Sequence, residues 1–177
     1  MEHLDQLRES LPTVARDVKI NLGNVLTPGT LNAAQVWGVA IACAYTTRNK
    51  SLIAALVADA KQADAGTPVL EDAQAAAILM GMNNVFYRFR HIVGNDEYSE
   101  KPARLRMQRI NQPATNKADF ELFCLAVSAI GNCQTCIRSH EHTVVEHGLT
   151  SDHINDAVRI AAVIQATAIA LDSILPE

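Results

Sequence analysis

Two cysteines and one histidine form the sharpest chemical pattern in the sequence. Cys133 and Cys136 are three positions apart, and His140 follows four positions after Cys136. On a helix these spacings put all three side chains on one face. Two sulfurs so placed close a disulfide with little backbone change. Cys133 would lie in the first turn, where free N–H groups and the helix dipole favour a thiolate, and His140 could take and return a proton. The pattern predicts a thiol–disulfide redox site.

Glu121 is the carboxylate that we expect to complete this site. It lies on the preceding predicted helix, and a turn at Gly131-Asn132 would fold the two helices antiparallel and bring it back toward the cysteines. There it could orient His140 or accept a proton through water. Two alternatives stay open at this point. One is a zinc site made of Cys133, Cys136 and His140, with His142 or Cys124 as fourth ligand. The other is a structural helical interaction protein whose cysteines only pack.

The elements that must position these residues are predicted to be helices throughout. Alanine, a strong helix former and a weak strand former, occurs 27 times, and no segment alternates as a strand would. Residues 81–84 form a polar insert inside an otherwise apolar helix, and a turn is predicted at 27–30. The predicted helices are one or two within 1–25, then about 31–46 with Thr30 as N-cap, 50–63, 71–89, 118–130, 133–147, and from Thr150 or Ser151 to about 173, with loops at 93–102 and 111–116.

Length and charge narrow the classes of protein that fit. The chain has 177 residues, a net charge of −4, 49% hydrophobic residues and 19% charged residues. This predicts one all-α domain over 1–177, and a faint internal repeat suggests related halves at about 1–95 and 103–177. The acidic balance argues against general nucleic-acid or anionic-membrane binding. The apolar stretches 36–45 and 160–171 are too short to span a bilayer, so we expect a cytoplasmic protein. Cysteines in that compartment seldom form structural disulfides, and Cys43 and Cys124 are expected in the core.

Five segments of the chain form a recognisable set: MGMNNVFYR at 80–88, FELF at 120–123, AVSAI at 126–130, the C-x-x-C and SHEHT at 139–143. Together they resemble the alkyl hydroperoxidase D family, part of the wider carboxymuconolactone-decarboxylase-like superfamily. The likeness runs over nearly the whole chain. Decarboxylase members of the superfamily lack the C-x-x-C, which weakens a reading as a lactone decarboxylase.

The resemblance implies a fold, an assembly and an activity. It implies an all-α homotrimer with two related helical halves, acting as a thiol-dependent peroxidase with no bound cofactor or metal. Electrons would pass to a partner peroxiredoxin, alkyl hydroperoxide reductase C. The disulfide would be reduced by a lipoyl-bearing protein supplied by dihydrolipoamide dehydrogenase and NADH.

The resemblance also assigns roles to the residues that match the family's catalytic positions, which are Glu121, Cys133, Cys136 and His140. Cys136 would form the sulfenic acid. Cys133 would be the proton donor and resolving thiol and would meet the partner protein, although the helix dipole favours Cys133 as the better thiolate. Some family members carry a histidine just before the second cysteine. This chain has Thr135 there, so His140 must act without it.

Overall fold

Helices make up nearly all the regular structure of the protein. A computed structural model describes residues 1–27 and 29–174, and over these residues it contains no strand. Of the described residues, 77% are helical, which confirms the predicted all-α class. The α-helices are α1 (Glu2–Glu9), α2 (Arg16–Val25), α3 (Ala33–Thr47), α4 (Lys50–Gln62), α5 (Thr67–Val93), α6 (Asp96–Ser99), α7 (Lys117–Ile130), α8 (Gln134–Glu146) and α9 (Ser151–Asp172), with short 3-10 helices at Thr13–Ala15 and Gln108–Asn111.

Helix α7 lies at the centre and contacts α3, α5, α8 and α9. Residues 35–44 of α3 and 119–128 of α7 are all buried, because both helices are apolar almost all round. Gly38 allows α3 to approach α7 closely, since a Cβ there would lie 2.0 Å from the ring of Phe123. The arrangement buries the helix that carries Glu121, so any polar group on α7 must find a partner inside the protein.

Four details of the predicted elements were wrong. Asn32, not Thr30, caps α3, because its side chain accepts from the backbone N–H of Gln35 while the Gln35 side chain accepts from the backbone N–H of Asn32. Helix α5 begins at Thr67 rather than near 71, because Pro68 occupies the first turn, where no backbone donor is needed. It continues to Val93 rather than ending near 89, because the left-handed C-cap residue is Gly94. The loop predicted at 93–102 contains the short helix α6.

The other predicted helices begin and end within a residue or two of the observed ones, with Asn49, Asn116 and Thr150 as N-caps. The turn predicted at 27–30 includes Pro28, which lies outside the described residues. The predicted relation between halves 1–95 and 103–177 stays a prediction.

Helix α9 is long and apolar enough, by length and composition alone, to cross a membrane. It packs instead against α2, α3 and α7 and buries Ile160 and Ile164 completely in the core. A core helix passes the same test of length and composition, so this feature is weak support for a membrane span.

Candidate active site

The turn between α7 and α8 is held by polar residues of α5. Asn132 adopts the left-handed backbone conformation with φ 51°. Gly131 lies against Asn84, and a Cβ at Gly131 would come within 2.3 Å of the Asn84 amide nitrogen. The Ser128 hydroxyl donates to Asn84 Oδ1 at 3.0 Å, and Arg88 donates to the Gly131 carbonyl at 2.6 Å. The polar insert of α5 therefore fixes the point from which α8 starts.

Cys133 and Cys136 form a disulfide at the start of α8. Cys133 is the N-cap residue, and its sulfur accepts from the backbone N–H of Cys136 at 3.3 Å. The two Cα atoms are 5.3 Å apart, a usual separation for a disulfide, so dithiol and disulfide forms need little backbone adjustment. Cys133 is fully buried, whereas Cys136 is 6% exposed. The pair is thus placed to change redox state within a fixed helix start.

Glu121 and His140 form a buried pair beside the cysteines. His140 Nδ1 lies 2.5 Å from Glu121 Oε2, and His140 Nε2 lies 3.2 Å from the sulfur of Met80. The second oxygen of Glu121, Oε1, accepts from Lys117 Nζ at 2.6 Å. Both ring nitrogens of His140 thus face acceptors, and a ring protonated on both nitrogens satisfies both contacts. The pair can therefore hold a proton close to the disulfide.

The carboxylate form of Glu121 is favoured despite burial. Burial by itself raises the pKa of Glu121, but the hydrogen bonds and positive charges of His140 and Lys117 outweigh it, so the pKa lies below its ordinary value. Glu121 is therefore the anionic member of the pair at neutral pH. The neighbouring helical residue Cys124 shows the opposite shift, because burial and the charge of Glu121 raise the pKa of its thiol well above the ordinary value.

A cavity of about 350 Å³ opens beside this pair. Its wall includes Cys136 but not Cys133. Its lining combines the polar site residues with aromatic and apolar side chains from α5 and from the segment before α7. The full lining consists of Asn83, Tyr87, Met107, Ile110, Glu121, Thr135, Cys136, Ser139, His140 and Thr143. A small molecule with a polar end and an apolar body would fit in a cavity with this lining.

All four residues predicted for the site come together: Cys133, Cys136 and His140 on α8, and Glu121 on α7. The roles given to each of them stay predictions. Of the residues considered as a fourth zinc ligand, His142 is exposed and paired with Glu146, and Cys124 is buried and is not part of the cavity wall. Over residues 1–27 and 29–174, no group of three or more His, Cys, Asp or Glu side chains is arranged to hold a metal ion.

Three site residues were not predicted. Lys117 stands four positions before Glu121 on the same helix, and this spacing was a usable signal. Met80 and Asn83 come from α5, some 40 residues before Glu121 in the chain. The polar insert at 81–84 marked the segment as unusual, but nothing in the local pattern indicated that it meets α8.

Comparison with known proteins gives the family. The Carboxymuconolactone decarboxylase family model matches residues 96–175. An alkyl hydroperoxide reductase AhpD of Anaeromyxobacter dehalogenans is 59% identical over 172 residues, covering 97% of this chain and 92% of that protein. The proteins of the same name from Rhodospirillum centenum and Brucella suis are 48% and 44% identical, covering 96% of this chain and 91% and 97% of their own lengths. The chain belongs to the alkyl hydroperoxide reductase AhpD family, within the carboxymuconolactone-decarboxylase-like superfamily.

Proposed function

We propose that this protein is an antioxidant thiol peroxidase that reduces alkyl hydroperoxides through the Cys133–Cys136 dithiol. Its family makes it an oxidoreductase of the peroxidase type. The observation that carries the proposal is the placement of Cys136 in the wall of a half-apolar cavity, with the Glu121–His140 pair in the same wall. A redox-active thiol, a proton carrier and space for an alkyl group meet there.

The reaction starts from the reduced pair and ends at the disulfide. The Cys136 thiolate attacks the terminal oxygen of the hydroperoxide, the O–O bond breaks, and the alkoxide takes a proton to leave as an alcohol. Cys136 then carries a sulfenic acid. The Cys133 thiolate attacks the Cys136 sulfur, and the sulfenic oxygen takes a proton and leaves as water. The two-electron oxidation of the dithiol balances the two-electron reduction of the peroxide.

Cys136 is the attacking sulfur in this proposal because it lines the cavity, whereas Cys133 is fully buried and is not part of the cavity wall. This placement supports the order that the family resemblance implies over the one that the helix dipole favours. Cys133, next to Cys136 at the N-cap, is then the resolving thiol. A partner that attacks Cys133 would need the turn before α8 to move, whereas a slender dithiol in the cavity would reach Cys136.

The proton for the alkoxide comes from the Glu121–His140 pair. Over the described residues, His140 makes no hydrogen bond to either sulfur of the disulfide; it contacts Glu121 and Met80. Because His140 and Cys136 line one cavity, the substrate itself can lie between them and receive the proton. Lys117 keeps Glu121 anionic, and Glu121 in turn keeps a proton on His140 Nδ1.

Electrons would come from outside the chain, since a disulfide has to be reduced for a second turnover. We propose a lipoyl-bearing protein as donor, supplied by dihydrolipoamide dehydrogenase and NADH, and alkyl hydroperoxide reductase C as a partner that receives electrons. A cavity of about 350 Å³ at Cys136 has room for a dithiol at the end of a thin arm. We place these reactions in the cytoplasm, where thiol systems keep such pairs reduced.

A homotrimer is the proposed assembly, and one surface supports self-association. Ile78, Val85, Phe89 and Ile92 are exposed large apolar residues on one face of α5, and their exposed fractions run from 47% to 73%. Their spacing of seven, four and three positions forms a continuous stripe along the helix. Stripes of this kind mark interaction sites on protein surfaces. A second copy of this chain is the occupant that we propose.

The proposed function is tested by coupled NADH oxidation. Purified protein, a lipoyl protein and dihydrolipoamide dehydrogenase should consume NADH when cumene hydroperoxide is added, and omission of any one protein should stop it. The Cys136→Ser variant should be inactive, whereas Cys43→Ser, at a buried cysteine distant in sequence from the site, should retain activity. Peroxide-independent NADH use, or stoichiometric zinc in place of two reactive thiols, would contradict the proposal.

The assembly is tested by light scattering. Wild-type protein should show three times the chain mass of 19.2 kDa. Val85→Glu puts a charge in the centre of the apolar stripe and should shift the mass toward the monomer, because a buried unpaired carboxylate opposes association. Val14→Glu, at a residue that is 95% exposed and away from the stripe, is the matched control and should leave the mass unchanged. A monomeric wild-type protein would refute the assembly.

A further inference from the structure

The side chain of Asn83 is a buried polar group that the mechanism above does not use. It is 5% exposed and lines the same cavity as Cys136, Glu121 and His140. Its Oδ1 is fully shielded and has no hydrogen-bond partner among residues 1–27 and 29–174. The adjacent Asn84 is equally buried, but its Oδ1 accepts from Ser128 and serves the turn before α8. Asn84 therefore stabilises the turn before α8, whereas the side-chain oxygen of Asn83 has no such structural contact.

An unpaired buried acceptor requires an explanation, because nearly all such groups in folded proteins are bonded. The other buried polar groups of the cavity are already occupied. Glu121 uses one oxygen for His140 and the other for Lys117, and both ring nitrogens of His140 have partners. The carbonyl oxygen of Asn83 is thus the buried acceptor without a partner in the described chain, and because Asn83 lines the cavity, a rotation of its amide group would turn this oxygen toward a molecule that enters.

A hydroperoxide carries one hydrogen-bond donor, the O–H at its terminal oxygen. That oxygen is also the atom that a thiolate attacks. We propose that Asn83 is the substrate-binding residue of this site: its Oδ1 accepts from the hydroperoxide O–H and holds the terminal oxygen against Cys136 Sγ. This inference rests on the peroxidase function proposed above and names the group that recognises the substrate.

The hydrogen bond persists through the reaction. The S–O bond forms as the O–O bond breaks, and the alkoxide takes its proton from the Glu121–His140 pair. The hydrogen on the transferred oxygen is not consumed in this step, so the sulfenic acid on Cys136 keeps donating to Asn83. Asn83 would then also hold the sulfenic acid in place until Cys133 attacks the sulfur and water leaves.

The proposed hydrogen bond to the hydroperoxide O–H contributes to only one of the two half-reactions of the enzyme. Reduction of the disulfide by a dithiol involves no hydroperoxide O–H and needs nothing from Asn83. The alkyl part of the substrate would lie against Met107 and Ile110 of the cavity lining. Loss of the Asn83 acceptor should therefore slow oxidation by peroxide and leave reduction by a dithiol as it was.

The variant Asn83→Leu keeps the size of the side chain and removes its polar atoms. In stopped-flow measurements with reduced protein and cumene hydroperoxide, we expect the second-order rate constant to fall by roughly 10- to 100-fold, the range for loss of one hydrogen bond to a reacting group. The rate at which dihydrolipoamide reduces the oxidised variant should stay within about twofold of wild type. Asn155→Leu, the same substitution at an exposed position of α9, is the matched control and should change neither rate.

Thermal unfolding distinguishes substrate binding from a structural role, because loss of a structural hydrogen bond would lower the Tm. Because Asn83 Oδ1 is unpaired in the resting protein, Asn83→Leu should leave the Tm unchanged or raise it. Asn84→Leu removes a paired group and should lower the Tm. A peroxide rate within twofold of wild type in Asn83→Leu, or an equal loss in both half-reactions with a lower Tm, would overturn the assignment.

The same experiment distinguishes failure of the inference from failure of the proposed function. Wild-type protein that exchanges with dihydrolipoamide but does not react with cumene hydroperoxide would refute the peroxidase function, and the role of Asn83 with it. Wild-type protein that reacts with cumene hydroperoxide, together with an equally fast Asn83→Leu variant, would refute the role of Asn83 alone.

Discussion

Replacing Glu121 by glutamine removes one charge from the centre of the site and changes almost nothing in shape. The carboxylate accepts from His140 on one oxygen and from Lys117 on the other. The amide of a glutamine can accept from only one of these donors, and its NH₂ group then faces the other. Glu121→Gln should therefore weaken the fold as well as the chemistry.

The size of the effect follows from the burial of the two contacts. A hydrogen bond to a charged group contributes about 1.5–3 kcal/mol, against about 0.5–1.5 kcal/mol for a neutral one. The contact between Glu121 and His140 is buried, so its contribution to stability is not reduced by solvent. The Lys117 side chain is 31% exposed, so solvent screening reduces the contribution of its contact to below about 1 kcal/mol. We expect the free energy of unfolding to fall by about 1–3 kcal/mol at neutral pH. For a chain of this length, that corresponds to a Tm lowered by roughly 3–10 °C.

The loss should depend on pH in a defined direction. The pKa of Glu121 in the folded protein lies below its ordinary value of 4.5, because His140 and Lys117 outweigh the effect of burial. The stabilisation by the carboxylate is therefore complete above the unfolded pKa and is lost as the pH falls through the folded pKa. The difference in stability between wild type and Glu121→Gln should be largest at neutral pH and should shrink below about pH 4.

Urea denaturation followed by circular dichroism, from neutral pH down to about pH 3, measures this difference directly. Asp72 has a lowered pKa as well, because the backbone N–H groups of Ala114 and Thr115 and the Arg109 side chain outweigh its burial, so the comparison must be between wild type and variant at each pH. Glu141→Gln, at an exposed position next to His140, is the matched control and should change stability little. A Glu121→Gln variant as stable as wild type at neutral pH, or a difference independent of pH, would refute the reasoning.

The remaining predictions concern the thiols, the histidine and the core. After a peroxide pulse, mass spectrometry should find sulfenic or sulfinic acid on Cys136 in the Cys133→Ser variant and none on Cys133 in the Cys136→Ser variant; the reverse pattern would exchange their roles. His140→Gln should slow sulfenic acid formation by roughly 100- to 10,000-fold while the disulfide still forms slowly, and an unchanged rate would exclude His140 as the proton donor. Gly38→Ala should lower the free energy of unfolding by about 1–3 kcal/mol or more, because the new methyl group meets Phe123; a stable variant would show that α3 and α7 can separate.

The part of the site that was predictable from sequence is the part carried by two consecutive helices. Cys133, Cys136 and His140 share a face because of helical spacing, and the turn at Gly131 brings Glu121 back to them. Spacing gives no information about a third helix. Asn83 and Met80 were therefore not assigned to the site, since their place beside His140 depends on how α5 packs against α7 and α8.

The ends of the helices were also only partly predictable from the local sequence. Thr30 and Asn32 are both good N-cap residues, so the local pattern does not decide between them. Gln35 settles the choice, because it completes the cap on Asn32 and also donates to Asp119, 84 residues away. In the sequence alone, Pro68 indicates an interruption of the helical pattern, yet a proline in the first turn of α5 is compatible with the helix. A contact distant in sequence supports the choice of Asn32, whereas Pro68 fits because of its position in the helix.

The two cysteines outside the disulfide give the protein a built-in reporter of unfolding. Cys43 and Cys124 are fully buried, and burial raises the pKa of both thiols, so neither is reactive in the folded state. In the oxidised protein, a thiol reagent can modify them only when the core opens. The rate of their labelling would then measure the free energy of opening at the α3–α7 centre, without denaturant and without an engineered probe.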